Sequence, residues 1–107
     1  MSKRKWIQIT TEIFDDERIK IIERMPAGDE ILMIWFKLLV LAGKSTQSEI
    51  LLLSEIVPYN SEKLAVVFNR EEALIRVALS VFEKHGMVKI EDNQTIKLEG
   101  AMVRNVG

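Results

Sequence analysis

Residues 61–86, SEKLAVVFNREEALIRVALSVFEKHG, decide the fold. The stretch holds two segments of helical periodicity with a break between them. In the first, about Glu62 to Phe68, Leu64, Ala65 and Phe68 recur at helical spacing and are expected to face inward. Asn69 breaks the pattern and is expected to cap the next helix, with Glu72 three residues on to complete a capping box. That helix is expected from about Arg70 to His85, stopping at Gly86. On a helical wheel Leu74, Ala78, Val81 and Phe82 gather on one side; Glu72, Arg76, Ser80, Glu83 and Lys84 lie opposite, with Ala73 among them. A short helix, a tight turn and a longer helix with a polar outer face is the plan of a helix-turn-helix.

Downstream, the period changes from helical to alternating. Val88, Ile90, Ile96 and Leu98 are apolar, Lys89, Glu91, Thr95 and Lys97 polar, and Asp92-Asn93-Gln94 lies between, which predicts a β-hairpin with a polar turn. Gly100 to Gly107 show no pattern. Upstream, Pro58-Tyr59-Asn60-Ser61 is a turn ending in a cap, Ile50-Leu51-Leu52-Leu53 a short buried strand, and Lys44 to Ser48 a polar loop. Asp29 is expected to cap a helix from about Glu30 to Ala42, with Gly43 its C-terminal stop. That helix is apolar on nearly every face, so it lies at the centre or turns one face to another subunit. A first helix is expected to start after Asp15, with Phe14 and Ile19 as a hydrophobic staple and Ile19, Ile22 and Met25 as its apolar stripe. Met25-Pro26-Ala27-Gly28 ends it, and Trp6 to Thr10 is a short extended segment. The order helix, strand, short helix, turn, longer helix, hairpin is that of a winged helix. The expected fold is therefore mainly α with a small β component, a winged helix-turn-helix with extra N-terminal elements, over residues 1–98.

Composition removes several classes of function. The chain has 107 residues, enough for one domain with one real core, and no cysteine, which excludes disulfides and thiolate metal sites. The only histidine, His85, sits in the last turn of a helix, where it interacts favourably with the helix terminus. Gly43-Lys44-Ser45 is not a phosphate-binding loop, because the motif needs a glycine where Leu38 stands. Asp15-Asp16 and Glu71-Glu72 are read as helix-start charges, not catalytic carboxylates. No enzyme, cofactor or metal is expected. The longest apolar run, Ile31 to Ala42, is interrupted by Lys37 and too short to span a bilayer, and no signal peptide is expected. A cytoplasmic protein without membrane partners is expected.

A helix-turn-helix lays its second helix in the major groove of DNA. Arg76 is then the natural base or phosphate reader, and Ser80 is compatible with either. Arg70, Glu72, Lys84, and Lys89 and Lys97 on the hairpin complete the candidate DNA-binding set. Lys3-Arg4-Lys5 is either a basic arm reaching DNA or a solvated terminus. Against strong binding, the net charge is −1, and residues 61–98 carry six bases and six acids. Phosphate neutralisation dominates DNA affinity, so the balance predicts weak binding per monomer.

Several stretches together resemble the N-terminal domain of phage replisome organiser proteins. They are residues 5–9 (KWIQI), 14–20 (FDDERIK), 34–44 (IWFKLLVLAGK), 56–59 (IVPY), 68–70 (FNR) and 77–87 (VALSVFEKHGM). Their order and spacing carry the resemblance, which covers nearly the whole chain to about Leu98. The plan is also similar to the amino-terminal domains of plasmid replication initiators and of DnaD-type primosomal proteins. The resemblance implies a winged-helix domain that binds double-stranded DNA at a replication origin. It further implies that residues 99–107 begin a linker to an absent C-terminal domain that contacts host replication proteins. A homodimer is expected from the apolar second helix. The alternative is a winged-helix oligomerisation or protein-interaction module without direct DNA contact.

Overall fold

The computed structural model describes residues 6–45, 50–52, 56–57, 60–91, 96–99 and 103–106. Among them, four helices and six short strands alternate. Strand β1 is Trp6–Ile9, helix α1 Glu17–Glu23 and helix α2 Gly28–Ser45. Strands β2, Ile50–Leu52, and β3, Ile56–Val57, lead to helix α3, Ser61–Phe68, and helix α4, Glu72–Lys84. Strands β4, Val88–Ile90, β5, Ile96–Leu98, and β6, Val103–Val106, complete the chain. The strands form two antiparallel sheets, β3-β5-β4 and β1-β6-β2. The run α2-β3-α3-α4-β4-β5, with β3 joined to the hairpin, is the expected winged helix.

The core is built around α2. Ile31, Ile34, Trp35, Leu38, Leu39 and Ala42 are buried along it. Ile19 and Ile22 of α1 close one side, and Leu64, Phe68, Ile75, Ala78 and Phe82 of α3 and α4 close another. Trp35 and Phe82 meet with ring centroids 5.2 Å apart and planes tilted by 57°, so an aromatic pair fixes α4 against α2. Met33 and Val40 remain 47% and 46% exposed, so α2 is central yet leaves one face uncovered.

Local chemistry explains several boundaries that differ from expectation. The first helix is capped by Asp16, not Asp15: its carboxylate accepts from the Arg18 backbone N–H at 2.8 Å. The Arg18 guanidinium grips the same carboxylate through Nε at 2.9 Å and Nη2 at 2.6 Å. The hydrogen bond from Arg18 is the main cause holding the Asp16 carboxyl below its usual range. This shift of one residue dissolves the Phe14–Ile19 staple, and Phe14 is exposed while Ile19 is buried. Helix α2 starts at Gly28, with the Ala27 carbonyl accepting from the Ile31 N–H at 2.9 Å, so Asp29 lies in the first turn and is not the cap. Gly43 is buried inside α2 and does not stop it.

The turn between α3 and α4 also departs from the capping box. Asn60 caps α3, its side chain accepting from the Lys63 N–H at 2.9 Å. Asn69 ends α3 in the left-handed conformation, at φ 56°, and does not cap α4. The Arg70 N–H reaches back to the Ala65 carbonyl at 3.0 Å, which closes a Schellman motif and frees α4 to leave in a new direction. Gly86, at φ 72°, repeats the device after α4, with Met87 N–H bonded to the Phe82 carbonyl at 2.8 Å. In α4 the buried stripe is Ile75, Ala78, Leu79 and Phe82; Leu74 and Val81 stand at its margins, not its centre. Residues 103–106, where the sequence shows no pattern, form the middle strand of β1-β6-β2, with Trp6 opposite Val106 and Ile50 also opposite Val106. The expected turn at Asp92-Asn93-Gln94, the turn residues Pro58 and Tyr59, and Lys3-Arg4-Lys5 lie outside the described residues.

Candidate nucleic-acid interface

Helix α4 carries its apolar stripe into the core, so geometry dictates what it shows outward. Ala73, Arg76, Val77, Ser80, Glu83 and Lys84 are exposed. Glu72 stands at the start of this surface as the first residue of the helix and is half-buried. Four of the candidate residues, Glu72, Arg76, Ser80 and Lys84, thus share one helix surface. Val77, 52% exposed on the same surface, was not among them. Its signal was available: it belongs to neither of the two wheel clusters.

Arg70 sits just before α4 and turns back on the chain, its Nη1 donating to the Asn69 carbonyl at 3.0 Å. It braces the turn and is half-buried. On the hairpin Lys89 and Lys97 are directly opposed across β4 and β5. Their neighbours Val88, Ile96 and Leu98 are buried, so the strand pleat turns both lysines to the other face of the sheet. Like charges directly opposite on a sheet repel, and the fold holds this pair with Ile56, not an acid, opposite Lys97 on its other side.

Between α4 and the hairpin runs a groove of about 490 Å³, lined by Asn60, Ser61, Arg76, Ser80, Glu83 and Ile90 among others. Its polar groups are tied together. Arg76 donates to Glu72 Oε2 from Nε at 3.1 Å and from Nη2 at 2.7 Å. Ser61 Oγ on α3 donates to the same oxygen at 3.1 Å. These bonds, Arg76 first, hold the Glu72 carboxyl below its usual range. Glu83 accepts from the backbone N–H of Ile90 at 3.3 Å, so this acid covers an edge strand's donor. The acids beside the candidate bases are therefore engaged in the fold, a role the charge balance alone did not reveal.

Among the described residues no group of three or more His, Cys, Asp or Glu could hold a metal ion. No helix among them is long and apolar enough to cross a membrane. His85 is the C-cap of α4, its N–H bonded to the Val81 carbonyl at 3.1 Å, which is the expected helix-end position.

A comparison with family models finds one described as N-terminal phage replisome organiser, matching residues 6–104. No curated protein and no solved structure matches the chain.

Proposed function

Because this chain belongs to the N-terminal phage replisome organiser family, we propose that it binds double-stranded DNA at a replication origin through the outer face of α4 and the β4–β5 hairpin. The observation that carries the reading is the placement of Arg76, Ser80 and Lys84 on one exposed helix surface, with the opposed Lys89–Lys97 pair on the hairpin that follows the helix. A helix of this kind sets base-reading side chains in the major groove, while lysines on a flanking ribbon neutralise phosphates. Arg70, bonded to the turn, acts as a brace with its charge near the backbone. Lys3, Arg4 and Lys5 are proposed as a basic arm that adds phosphate contacts. We assign the domain no catalytic step and no cofactor. It works in the cytoplasm, where the replicating DNA is, together with host replication proteins.

The balance of charge makes a single copy a weak binder, and a homodimer on paired half-sites doubles the basic surface. Exposed Met33, Val40 and Val67 flank a groove of about 320 Å³ floored by Phe36, Leu41 and Phe68, and this face is the one we propose for self-association. The same face supports the second reading, an interaction module without DNA contact. A salt titration separates the two. Fluorescence anisotropy on origin repeats and scrambled duplexes should give affinity that falls steeply with salt, because bound lysines and arginines release counterions. Absence of binding at 50 mM salt would leave the interaction module as the reading.

A further inference from the structure

The start of α4 is more ordered than an exposed surface requires. Three donors, Ser61 Oγ, Arg76 Nε and Arg76 Nη2, converge on the single oxygen Oε2 of Glu72. An exposed pair four residues apart adds little to stability, so folding gains little from it. Its effect on Arg76 is directional. The guanidinium has its Nε edge turned to Glu72, although the side chain is 67% exposed. The opposite edge, Nη1 with the second proton of Nη2, remains as a planar two-donor fork.

That fork matches one base. In the major groove guanine offers two adjacent acceptors, O6 and N7, whereas adenine offers an acceptor beside a donor and meets a guanidinium with an N–H. The N-terminal part of a recognition helix is also where base edges are reached, and Arg76 is the fifth residue of α4. We propose that Ser61, Glu72 and Arg76 form a pre-set guanine reader. Arg76 places Nη1 and Nη2 on O6 and N7 of one guanine per half-site, and Glu72 and Ser61 are positioning residues that fix the fork before DNA arrives. The proposal rests on the DNA-binding reading above. It gives the acid at the start of the recognition helix a purpose: Glu72 adds repulsion towards phosphates but removes the side-chain freedom Arg76 would otherwise lose on binding. Ser61, the first residue of α3, ties that geometry to the spacing of the two helices.

The test modifies the DNA first, so that it does not depend on a variant folding. Duplexes enriched from a randomised library by the 107-residue chain are remade with each guanine replaced singly by 7-deazaguanine. This base pairs normally but lacks the N7 acceptor. One position in each half-site should lose roughly tenfold in affinity, the loss of one arm of a bidentate contact. Arg76→Ala should bind with the same affinity to the normal and modified duplexes. Glu72→Ala and Ser61→Ala should retain salt-dependent binding, with Glu72→Ala tighter on scrambled DNA, while the penalty at that position shrinks to about two- to threefold. The inference is overturned if no sequence is enriched, if every guanine tolerates the substitution, if the penalty survives in Arg76→Ala, or if it stays tenfold in both Glu72→Ala and Ser61→Ala. In each of those cases steep salt dependence would still uphold DNA binding. No binding at low salt would remove both.

Discussion

Replacing both wing lysines, Lys89→Gln with Lys97→Gln, should move stability and DNA binding in opposite directions. The two residues are paired across β4 and β5 on the face away from the buried Val88, Ile96 and Leu98. Cross-strand pairs of charges are worth about 0.2–1 kcal/mol, and like charges carry the unfavourable sign. Removing the repulsion should therefore stabilise the domain by a few tenths of a kcal/mol, and for a domain of this size 1 kcal/mol moves Tm by about 4–8 °C. A rise of about 1–4 °C is expected. If both lysines meet phosphates, the slope of log affinity against log salt should fall by about 0.9 for each, or about 1.8. Between 50 and 200 mM salt the wild type would then lose roughly twelvefold more affinity than the double variant. The assays are a thermal melt and an anisotropy salt titration on one duplex. A higher Tm with an unchanged slope would refute the placement of the hairpin on the phosphates. A lower Tm would refute the claim that the pair is held against repulsion.

Three other outcomes follow from the packing. Asp16 has its pKa lowered by Arg18, so its contribution is present above its ordinary value of 3.8 and is lost as pH falls through the lower folded value. Asp16→Asn should thus melt lower than wild type at pH 6, by an amount equivalent to about 1 kcal/mol, with the gap narrowing as pH falls below 3.8; a gap independent of pH would mean the charge is not what matters. At Gly28 a Cβ would run into the Ile22 carbonyl oxygen, which is backbone and cannot swing aside. Gly28→Ala should cost about 1–3 kcal/mol in urea denaturation despite alanine's better helix propensity, and a neutral result would refute the close approach of α1 and α2. Met33→Lys with Val40→Lys should convert a dimer to a monomer in sedimentation equilibrium while leaving the melt near that of an equally dilute wild type, since both side chains are about half exposed; wild type that is monomeric at micromolar concentration would refute self-association through this face.

The winged-helix core was legible because its signals are local. Leu64 and Phe68, then Ala78 and Phe82, mark helical faces within single elements, and Val88 to Leu98 alternates within one hairpin. What escaped depended on distant partners or on a choice between equivalent neighbours. Asp15 and Asp16 are both good caps, and the Arg18 side chain, two residues beyond Asp16, selects between them. Gly43 has the residue type of a stop but is buried, so packing carries α2 through it. Asn69 has a cap's side chain, yet its tolerance of positive φ made it the end of α3 instead. Glu72 was read as part of the polar face, and the wheel could show Arg76 one turn away but not Ser61 arriving from another helix. Val103 to Val106 carries too few residues to show a period, and its partners are Trp6–Ile9 near the other end of the chain and Ile50–Leu52 in its middle.

That last strand has a consequence for synthesis on the ribosome. In β1-β6-β2 the middle position belongs to β6, which is translated after both of its partners. Until residue 106 clears the exit tunnel, β1 and β2 have no β6 between them, and each presents unpaired backbone donors and acceptors to its surroundings. Helices α3 and α4 and the β3-β5-β4 sheet have no strand pairing beyond Leu98 and can assemble earlier. The nascent chain would therefore pass through a state in which α4 is in place while a two-sided gap waits for its filler. Pulse proteolysis of stalled chains should show protection of helices α3 and α4 and strands β3 to β5 before residues 6–9 and 50–52, with those two strands gaining resistance only after residues 103–106 emerge.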